Sequence, residues 1–135
     1  RTISKKLSFS KIAAIESRGF LFAAVLSFLT NRPLVLLRKK GKLPGKTHSQ
    51  KFKLEYGFDI LEIHRSSLKK NDKVLIIDDL IATGGTAEAA AKLIEISGGK
   101  VAGFIFVINL FDLPGEKLLK DKSYFVESLI KFPGH

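Results

Sequence analysis

Residues 73–86, KVLIIDDLIATGGT, contain the features that decide the fold of this chain. The stretch opens with four apolar residues, 74–77, which are mostly β-branched and too few for a helix, so they predict a buried strand. Asp78 and Asp79 follow, then a turn of small residues, and then an alanine-rich run over residues 87–96 that predicts a helix. Strand, acid pair, glycine turn and helix in this order predict one unit of an α/β fold.

The glycine turn has the composition of an anion-binding loop. Gly84 and Gly85 let the backbone curl so that successive N–H groups point inward, while Thr83 and Thr86 add hydroxyl donors. The positive end of the following helix lies at the same point. We therefore expect a phosphate monoester here, with sugar hydroxyls donating to the two carboxylates. The alternative is an ordinary strand-to-helix connection in which Thr86 caps the helix.

Two properties of the stretch favour the phosphate site. Adjacent carboxylates at a strand end repel each other, so their presence suggests a binding function. The stretch also lacks the Lys of GxxxxGK[ST] and the spacing of GxGxxG, so it is neither of the common nucleotide-binding loops.

Length and composition predict a single globular domain with one core. The chain has 135 residues, 45% of them hydrophobic, and no cysteine, which excludes disulfides and thiolate metal sites. It contains no apolar run near 18 residues and no signal-peptide pattern, so we expect a soluble, cytoplasmic protein without a membrane partner.

The net charge of +10 is confined to the first part of the chain. Residues 1–58 contain thirteen Lys or Arg and two acids, whereas residues 59–135 contain ten and eleven. Such a basic half favours nucleic acid, an acidic membrane surface or a polyanionic small substrate, and composition does not choose among them.

The remaining apolar runs predict alternating strands and helices. Strands are expected at residues 11–15, 33–37, 101–110 and 124–130, a strand pair within 53–64, and helices at 20–30 and shortly after Pro114. This alternation predicts an α/β fold with a mainly parallel central sheet flanked by helices, whose ligands bind at the carboxyl ends of the strands.

A second turn with anion-binding character follows the first strand. Its sequence, ESRG, contains Ser17, a cation at Arg18 and a flexible backbone at Gly19. A plain capping turn is the alternative. The helix expected at residues 20–30 is apolar nearly all round, so we expect it to be packed on two sides, the second by a partner subunit.

Residues 38–53, RKKGKLPGKTHSQKFK, are rich in cations and contain no acid. Gly41, Pro44 and Gly45 predict a loop without regular structure. It is interpreted as a mobile basic loop that closes over a pyrophosphate, with a solvated charged loop as the alternative. Glu55 is the lone acid of this neighbourhood, and its simplest alternative function is an ion pair with a nearby Lys.

Residues 73–86 closely resemble the phosphoribosyl pyrophosphate (PRPP) signature of the type I phosphoribosyltransferases. Residues 15–22 (IESRGFLF), 36–45 (LLRKKGKLPG) and 54–64 (LEYGFDILEIH) are similar to the adenine phosphoribosyltransferase branch, and the resemblance runs from about residue 11 to residue 120. It implies the type I phosphoribosyltransferase fold, a homodimer, and a purine salvage reaction in which adenine and PRPP give AMP and pyrophosphate with Mg²⁺.

The resemblance also implies roles for individual residues. The residues implied to bind the 5′-phosphate are Ala82, Thr83, Gly84, Gly85 and Thr86. Those implied to bind the ribose hydroxyls are Asp78 and Asp79. Those implied to bind the pyrophosphate are Ser17, Arg18, Arg38, Lys39 and Lys42. Glu55 is the implied catalytic residue, which handles a proton near the base. Mg²⁺ is expected to be held by substrate oxygens and water rather than by a protein cage.

Two departures from the family and two rival functions accompany this resemblance. Residues 1–135 are expected to form a single transferase domain without the family's N-terminal hood, and Asn109 stands where members commonly carry an acid.

One rival function is that of a xanthine or hypoxanthine phosphoribosyltransferase. The other is a non-catalytic PRPP-sensing regulator that binds nucleic acid, which is disfavoured because the positive charge lies beside the phosphate loop.

Overall fold

The computed structural model describes residues 8–15, 19–39, 41, 43, 45–54, 57–81 and 83–133. The strands are β1 (Lys11–Ile15), β2 (Leu34–Lys39), β3 (Thr47–Leu54), β4 (Gly57–His64), β5 (Lys73–Ile81), β6 (Lys100–Leu110) and β7 (Val126–Phe132). The helices are α1 (Gly19–Thr30), α2 (Gly85–Ile96) and α3 (Gly115–Asp121).

The strands form one mixed sheet in the order β3-β4-β2-β1-β5-β6-β7. Strands β2, β1, β5, β6 and β7 run parallel, whereas β3 and β4 form an antiparallel hairpin whose second strand pairs antiparallel with β2. The predicted mainly parallel α/β architecture is therefore confirmed. Because β1 and β5 are parallel neighbours, the segments that follow them leave the sheet at the same edge.

The sheet separates two hydrophobic cores. Successive residues of β5 point to opposite faces, so Ile76 packs in the core on one face, while Leu75 and Ile77 pack in the core on the other. Helix α2 covers the first face with four residues that the helical spacing predicts to be buried: Ala87, Ala90, Ala91 and Ile94. The second core includes Ala23 of α1, which covers the other face.

Helix α1 is packed on one side in the described chain. Ala23 is buried, and Phe20 and Leu26 pack against the second core. Five large apolar side chains are exposed to solvent: Leu21, Phe22, Val25, Phe28 and Leu29. The prediction that α1 is an apolar helix is confirmed, but the sheet accounts for only one of its two apolar sides.

The predicted structureless loop over residues 38–53 is wrong in extent. Strand β2 continues to Lys39, and β3 occupies Thr47–Leu54, so only residues 40–46 separate the two strands. Glycine and proline fall only within residues 41–45, and the eight residues after Lys46 pair with β4 along their whole length. The predicted strand pair within 53–64 is likewise displaced, because β4 occupies most of that range and its partner β3 begins at Thr47.

Three other boundaries differ from the sequence prediction. Strand β5 runs through the acid pair to Ile81, helix α2 begins at Gly85, and β7 begins at Val126. Pairing with β6 explains the first difference, since Asp78, Leu80 and Ile81 all have partners in that strand. No helix in the described part of the chain is long and apolar enough to cross a membrane, and the cytoplasmic location stays a prediction.

Candidate active site

The phosphate loop predicted from the sequence leaves the sheet at the end of β5. Gly84 is the N-cap residue of α2, with a left-handed backbone at φ 89° and ψ −2°, and its carbonyl accepts the Glu88 N–H at 2.9 Å. A glycine has no side chain with which to cap a helix, so the N–H groups of the first turn remain available to an anion. The alternative in which Thr86 caps the helix is wrong, because the N-cap residue is Gly84, two residues earlier.

Gly84 is required by its surroundings as well as by its backbone. A Cβ atom placed on it would lie 3.0 Å from Leu118 Cδ2 and 3.1 Å from Gly115 Cα, both in α3. The left-handed conformation adds a further cost for any residue with a Cβ. The start of α3 therefore forms a wall directly behind the phosphate loop.

A cavity of about 150 Å³ opens in front of this loop. Its lining consists of Asp78, Leu80, Ile81, Thr83, Gly84, Gly85, Thr86 and Ala87. Liquid water takes up about 30 Å³ per molecule, so the cavity has room for a group of several heavy atoms. Four of the five residues expected to bind the 5′-phosphate thus line one cavity, and the fifth, Ala82, is outside the described residues.

The two carboxylates expected to bind ribose lie within β5 rather than beyond its tip. Asp78 is 9% exposed and its Oδ1 accepts the Asp79 N–H at 2.8 Å. Asp78 is two residues after Ile76, whose side chain packs in the core on the α2 face. Of the two carboxylates, Asp78 is the one that lines the cavity.

Two of the cations expected to bind pyrophosphate are in β2 rather than in a loop. The Arg38 guanidinium lies 5.7 Å from the centre of the Phe20 ring, and Lys39 Nζ lies 3.4 Å from Asp59 Oδ2. Because β2 is parallel to β1, with Ile15 opposite Leu37, Arg38 is at the same edge as the loop after β1. These two residues are held by the sheet, which corrects their assignment to a mobile segment.

The other residues with predicted roles fall in gaps of the description. Ser17 and Arg18 follow β1, Lys42 lies in the segment between β2 and β3, and Glu55 lies between β3 and β4. All four are among the residues whose structure is not described, and their roles stay predictions.

Glu62 contacts the basic segment near the candidate site, and the sequence pattern did not single it out. Its Oε1 accepts the Gly41 N–H at 2.9 Å, and its Oε2 accepts the Thr47 hydroxyl at 3.1 Å. It therefore holds both ends of the basic segment 40–46. The register of the sheet, which sets Glu62 between Arg38 of β2 and Ser49 of β3, gives it this role, and no local sequence pattern indicates it.

Glu88 places a carboxylate in the first turn of α2, close to the phosphate loop. Its hydrogen bond with Lys122, at 2.8 Å, holds its pKa below the usual value and outweighs the opposite effect of burial. This ion pair offsets a negative charge that would otherwise oppose an anion at the same helix end.

The described residues contain no group of three His, Asp or Glu side chains placed to hold a metal ion. Carboxylate oxygens are nevertheless present at the edge of the cavity, in Asp78, and oxygen is the ligand atom that Mg²⁺ prefers. The donor set therefore fits a magnesium ion that takes most of its ligands from a bound diphosphate and water.

The chain is similar to known proteins over nearly its whole length. A family model for the phosphoribosyl transferase domain matches residues 2–134. The adenine phosphoribosyltransferase of Pelagibacter ubique is 60% identical over 132 residues, which are 98% of this chain and 75% of that protein.

Two solved structures extend the similarity to the fold. The adenine phosphoribosyltransferase of Thermoanaerobacter pseudethanolicus superimposes with a TM-score of 0.91 at 46% identity, over 97% of this chain and 75% of that one. The Saccharomyces cerevisiae enzyme, solved with adenine and an imino-altritol bisphosphate, has a TM-score of 0.87 at 35% identity, over 95% and 71% of the two chains. The resemblance seen in residues 73–86 is thereby confirmed, and the chain belongs to the phosphoribosyl transferase family.

Proposed function

We infer that this chain is a purine salvage enzyme that converts adenine and PRPP to AMP and pyrophosphate. In this transfer, N9 of adenine forms a bond to C1 of the ribose while the bond from C1 to the pyrophosphate oxygen breaks. The N9 proton is transferred to an acceptor. The reaction therefore needs binding sites for two anionic groups and a residue that accepts this proton. The observation that carries the proposal is the cavity at Gly84, in a chain 60% identical to an adenine phosphoribosyltransferase.

The 5′-phosphate of PRPP is proposed to bind in this cavity. The N–H groups of Gly85, Thr86 and Ala87 lie in the first turn of α2, and the hydroxyls of Thr83 and Thr86 belong to its lining. Ala82 completes the proposed set. An uncapped helix start with flanking hydroxyl groups supplies several donors to one phosphate without requiring a cation.

The ribose hydroxyls are proposed to donate hydrogen bonds to Asp78 and Asp79. Asp78 lines the cavity, so a sugar attached to the bound phosphate is within its reach. Asp79 follows Asp78 directly in β5 and is proposed to accept a second ribose hydroxyl.

The pyrophosphate is proposed to bind Ser17, Arg18, Arg38, Lys39 and Lys42. Departure of pyrophosphate concentrates negative charge on the leaving oxygens, and fixed cations stabilise that charge more in the transition state than in the ground state. The anchoring of Arg38 and Lys39 in β2 supports this role, because charges on a rigid strand need no rearrangement when the bond breaks.

Glu55 is proposed to accept the proton from adenine. A carboxylate that acts as a general base must come within hydrogen-bond reach of N9 when the substrates are bound. In the sequence, Glu55 lies between β3 and β4, which form the hairpin at one end of the sheet. This position supports the proposal that Glu55 reaches the base from that end.

Mg²⁺ is proposed as the cofactor, held mainly by oxygens of PRPP and water. Bound to a diphosphate, it neutralises part of the charge of the leaving group. Asp78 and Asp79 supply the nearest described carboxylates to the proposed ribose site and would orient its water ligands.

A homodimer is proposed through the exposed side of α1. The exposed residues Leu21, Phe22, Val25, Phe28 and Leu29 form one helical face, and Phe28 is 86% exposed. A contiguous apolar face of this kind marks a protein interaction site. Phe28→Glu should shift the sedimentation coefficient to that of a monomer, whereas Leu129→Glu, on exposed β7, should not; a monomeric parent chain would contradict the proposal.

The reaction is tested by steady-state assays with adenine, hypoxanthine and xanthine, each with radiolabelled PRPP and Mg²⁺. We expect AMP from adenine and little product from the other two bases. Faster turnover of hypoxanthine or xanthine would transfer the proposal to the first rival. Salt-sensitive binding of duplex DNA without turnover of any base would favour the regulator.

A further inference from the structure

Asn109 is a buried polar residue beside the phosphate loop, and the proposed reaction assigns it no role. It is 1% exposed and lies opposite Ile81 in the register of β5 and β6, so it flanks the last residue of the strand that leads into the loop. Its Nδ2 donates a hydrogen bond to Glu116 Oε1 at 3.1 Å. Its Oδ1 is buried without a hydrogen-bond partner in the described part of the protein. A buried amide that is hydrogen-bonded to the side chain of a neighbouring helix calls for an explanation of what it positions.

The partner of Asn109 belongs to the wall behind the phosphate loop. Glu116 is in the first turn of α3, next to Gly115, whose Cα would lie 3.1 Å from a Cβ on Gly84. Leu118 of the same helix closes the remaining space behind Gly84. A displacement of α3 would therefore either press on Gly84 or release it from its left-handed conformation.

Helix α3 needs external contacts to stay in place. It has seven residues, too few to be stable on their own, and no side chain of its N-cap residue, Pro114, caps it. Asn109 holds its first turn, and the Lys122–Glu88 ion pair ties its last residues to α2. Burial opposes ionisation of Glu116, but hydrogen bonds from Lys120 and Asn109 outweigh it and lower its pKa, so the acceptor is a carboxylate at neutral pH.

We propose that Asn109 is a positioning residue for the 5′-phosphate: through Glu116 it fixes α3, and α3 holds Gly84 in the conformation that presents the helix N–H groups to the phosphate. The inference rests on the proposed phosphoribosyl transfer, since it assigns Asn109 to the phosphate end of PRPP. The residue must be a donor, because an aspartate here would face Glu116 without a proton to share.

The test compares two fragments of PRPP by isothermal titration calorimetry on the full chain: ribose 5-phosphate and inorganic pyrophosphate with Mg²⁺. Asn109→Leu and Glu116→Ala each remove the hydrogen bond and should weaken ribose 5-phosphate binding about tenfold. Pyrophosphate binding should change less than about twofold, because its proposed ligands lie on β2 and after β1.

Two variants serve as matched controls. Glu116→Gln keeps an acceptor oxygen for Asn109 and should restore binding of ribose 5-phosphate to within about threefold of the parent chain. Lys120→Ala removes the other partner of Glu116, 3.1 Å away, and should leave binding nearly unchanged because the Lys120 side chain is 56% exposed, so that solvent weakens the ion pair. If Asn109→Leu does not fold, the comparison of Glu116→Ala with Glu116→Gln decides.

Each outcome has a distinct meaning. If the parent chain does not bind ribose 5-phosphate, the proposed function fails together with this inference. If the parent chain binds it and Glu116→Ala binds it equally well, only the role of Asn109 is overturned, even where the melting temperature falls. Equal weakening of both fragments would also overturn it, because that result describes a general loss of structure rather than positioning of one phosphate.

Discussion

The Lys122 ammonium group lies 2.8 Å from the Glu88 carboxylate and so connects the end of α3 to the first turn of α2. The pairing matters because α2 begins at the phosphate loop, where an unpaired carboxylate would oppose a bound anion. It also joins two helices that are separated in the sequence by the 18 residues 97–114.

Loss of this ion pair should weaken phosphate binding. Lys122→Met leaves Glu88 negative beside the loop, and we expect the KM for PRPP to rise roughly two- to fivefold, in line with about 0.3–1 kcal/mol for a charge at a helix end. The double variant Lys122→Met/Glu88→Gln should recover most of the loss. Steady-state kinetics at low ionic strength measures both. A double variant no better than the single one would assign the effect to helix packing rather than charge.

The ion pair between Lys11 and Asp72 should stabilise the fold without affecting catalysis, because it lies at the opposite, amino edge of the sheet. Lys11 Nζ is 3.0 Å from Asp72 Oδ2, with both side chains mostly buried. We expect Asp72→Asn to lower the free energy of unfolding by about 1–3 kcal/mol, the range for a hydrogen bond to a charged group, with kcat and KM unchanged. Urea denaturation measures the free energy of unfolding. A change in kcat or KM would contradict the claim that this ion pair, at the amino edge of the sheet, does not affect catalysis at the other edge.

The same carboxylate predicts a pH dependence of stability. Burial raises the pKa of Asp72, but the Lys69 N–H and the contacts with Lys11 outweigh it, so the folded pKa lies below the usual 3.8. A lowered folded pKa contributes stability that is present above pH 3.8 and is lost as the pH falls through the folded value. Thermal melts of the parent chain and Asp72→Asn should therefore converge in acid, and a constant difference between them down to pH 2 would contradict this.

Gly84→Ala should disable the phosphate loop. The left-handed backbone costs about 1–2 kcal/mol for a residue with a Cβ, and the contacts with α3 near 3.0 Å add to it. We expect kcat/KM for PRPP to fall by more than about tenfold, which corresponds to about 1.4 kcal/mol. Gly98→Ala is the control, since its φ of 93° is similar but the nearest atom to its Cβ is 3.7 Å away. Equal losses of activity in both variants would show that backbone strain alone is responsible.

Asp79→Asn should weaken the use of PRPP by roughly ten- to hundredfold, which matches about 1–3 kcal/mol for a hydrogen bond to a charged group. The asparagine keeps the size of the side chain, so thermal stability should change little. KM for PRPP and kcat measured at saturating adenine report the effect. Unchanged kinetics would remove Asp79 from the ribose site.

Glu55→Gln should lower kcat more than it lowers PRPP affinity, because a lost proton acceptor slows the chemical step without removing a substrate contact. Single-turnover experiments with preformed PRPP complex separate that step from product release. A variant with normal single-turnover rates and weaker PRPP binding would return Glu55 to a structural role.

The local features of the chain were predictable because they depend on neighbouring residues. The run at residues 74–77 predicts the central strand, and the alanines of α2 predict its buried face. Gly84 predicts a sharp turn before the helix that follows it, since only glycine takes a left-handed backbone at little cost. The same local rules failed at residues 47–54, where pairing with β4 outweighed the influence of nearby glycine and proline.

The sequence by itself determined the α/β class, the glycine turn that follows β5 and the concentration of cations upstream of it, because each depends on contiguous residues. Only the tertiary structure decided that Arg38 and Lys39 belong to a strand, that Asp78 is buried within β5 and lines the cavity, and that α3 forms the wall behind Gly84. It also paired Asn109 with Glu116 and Lys122 with Glu88. These relationships depend on strand register and helix packing, which bring distant residues together and have no local sequence pattern.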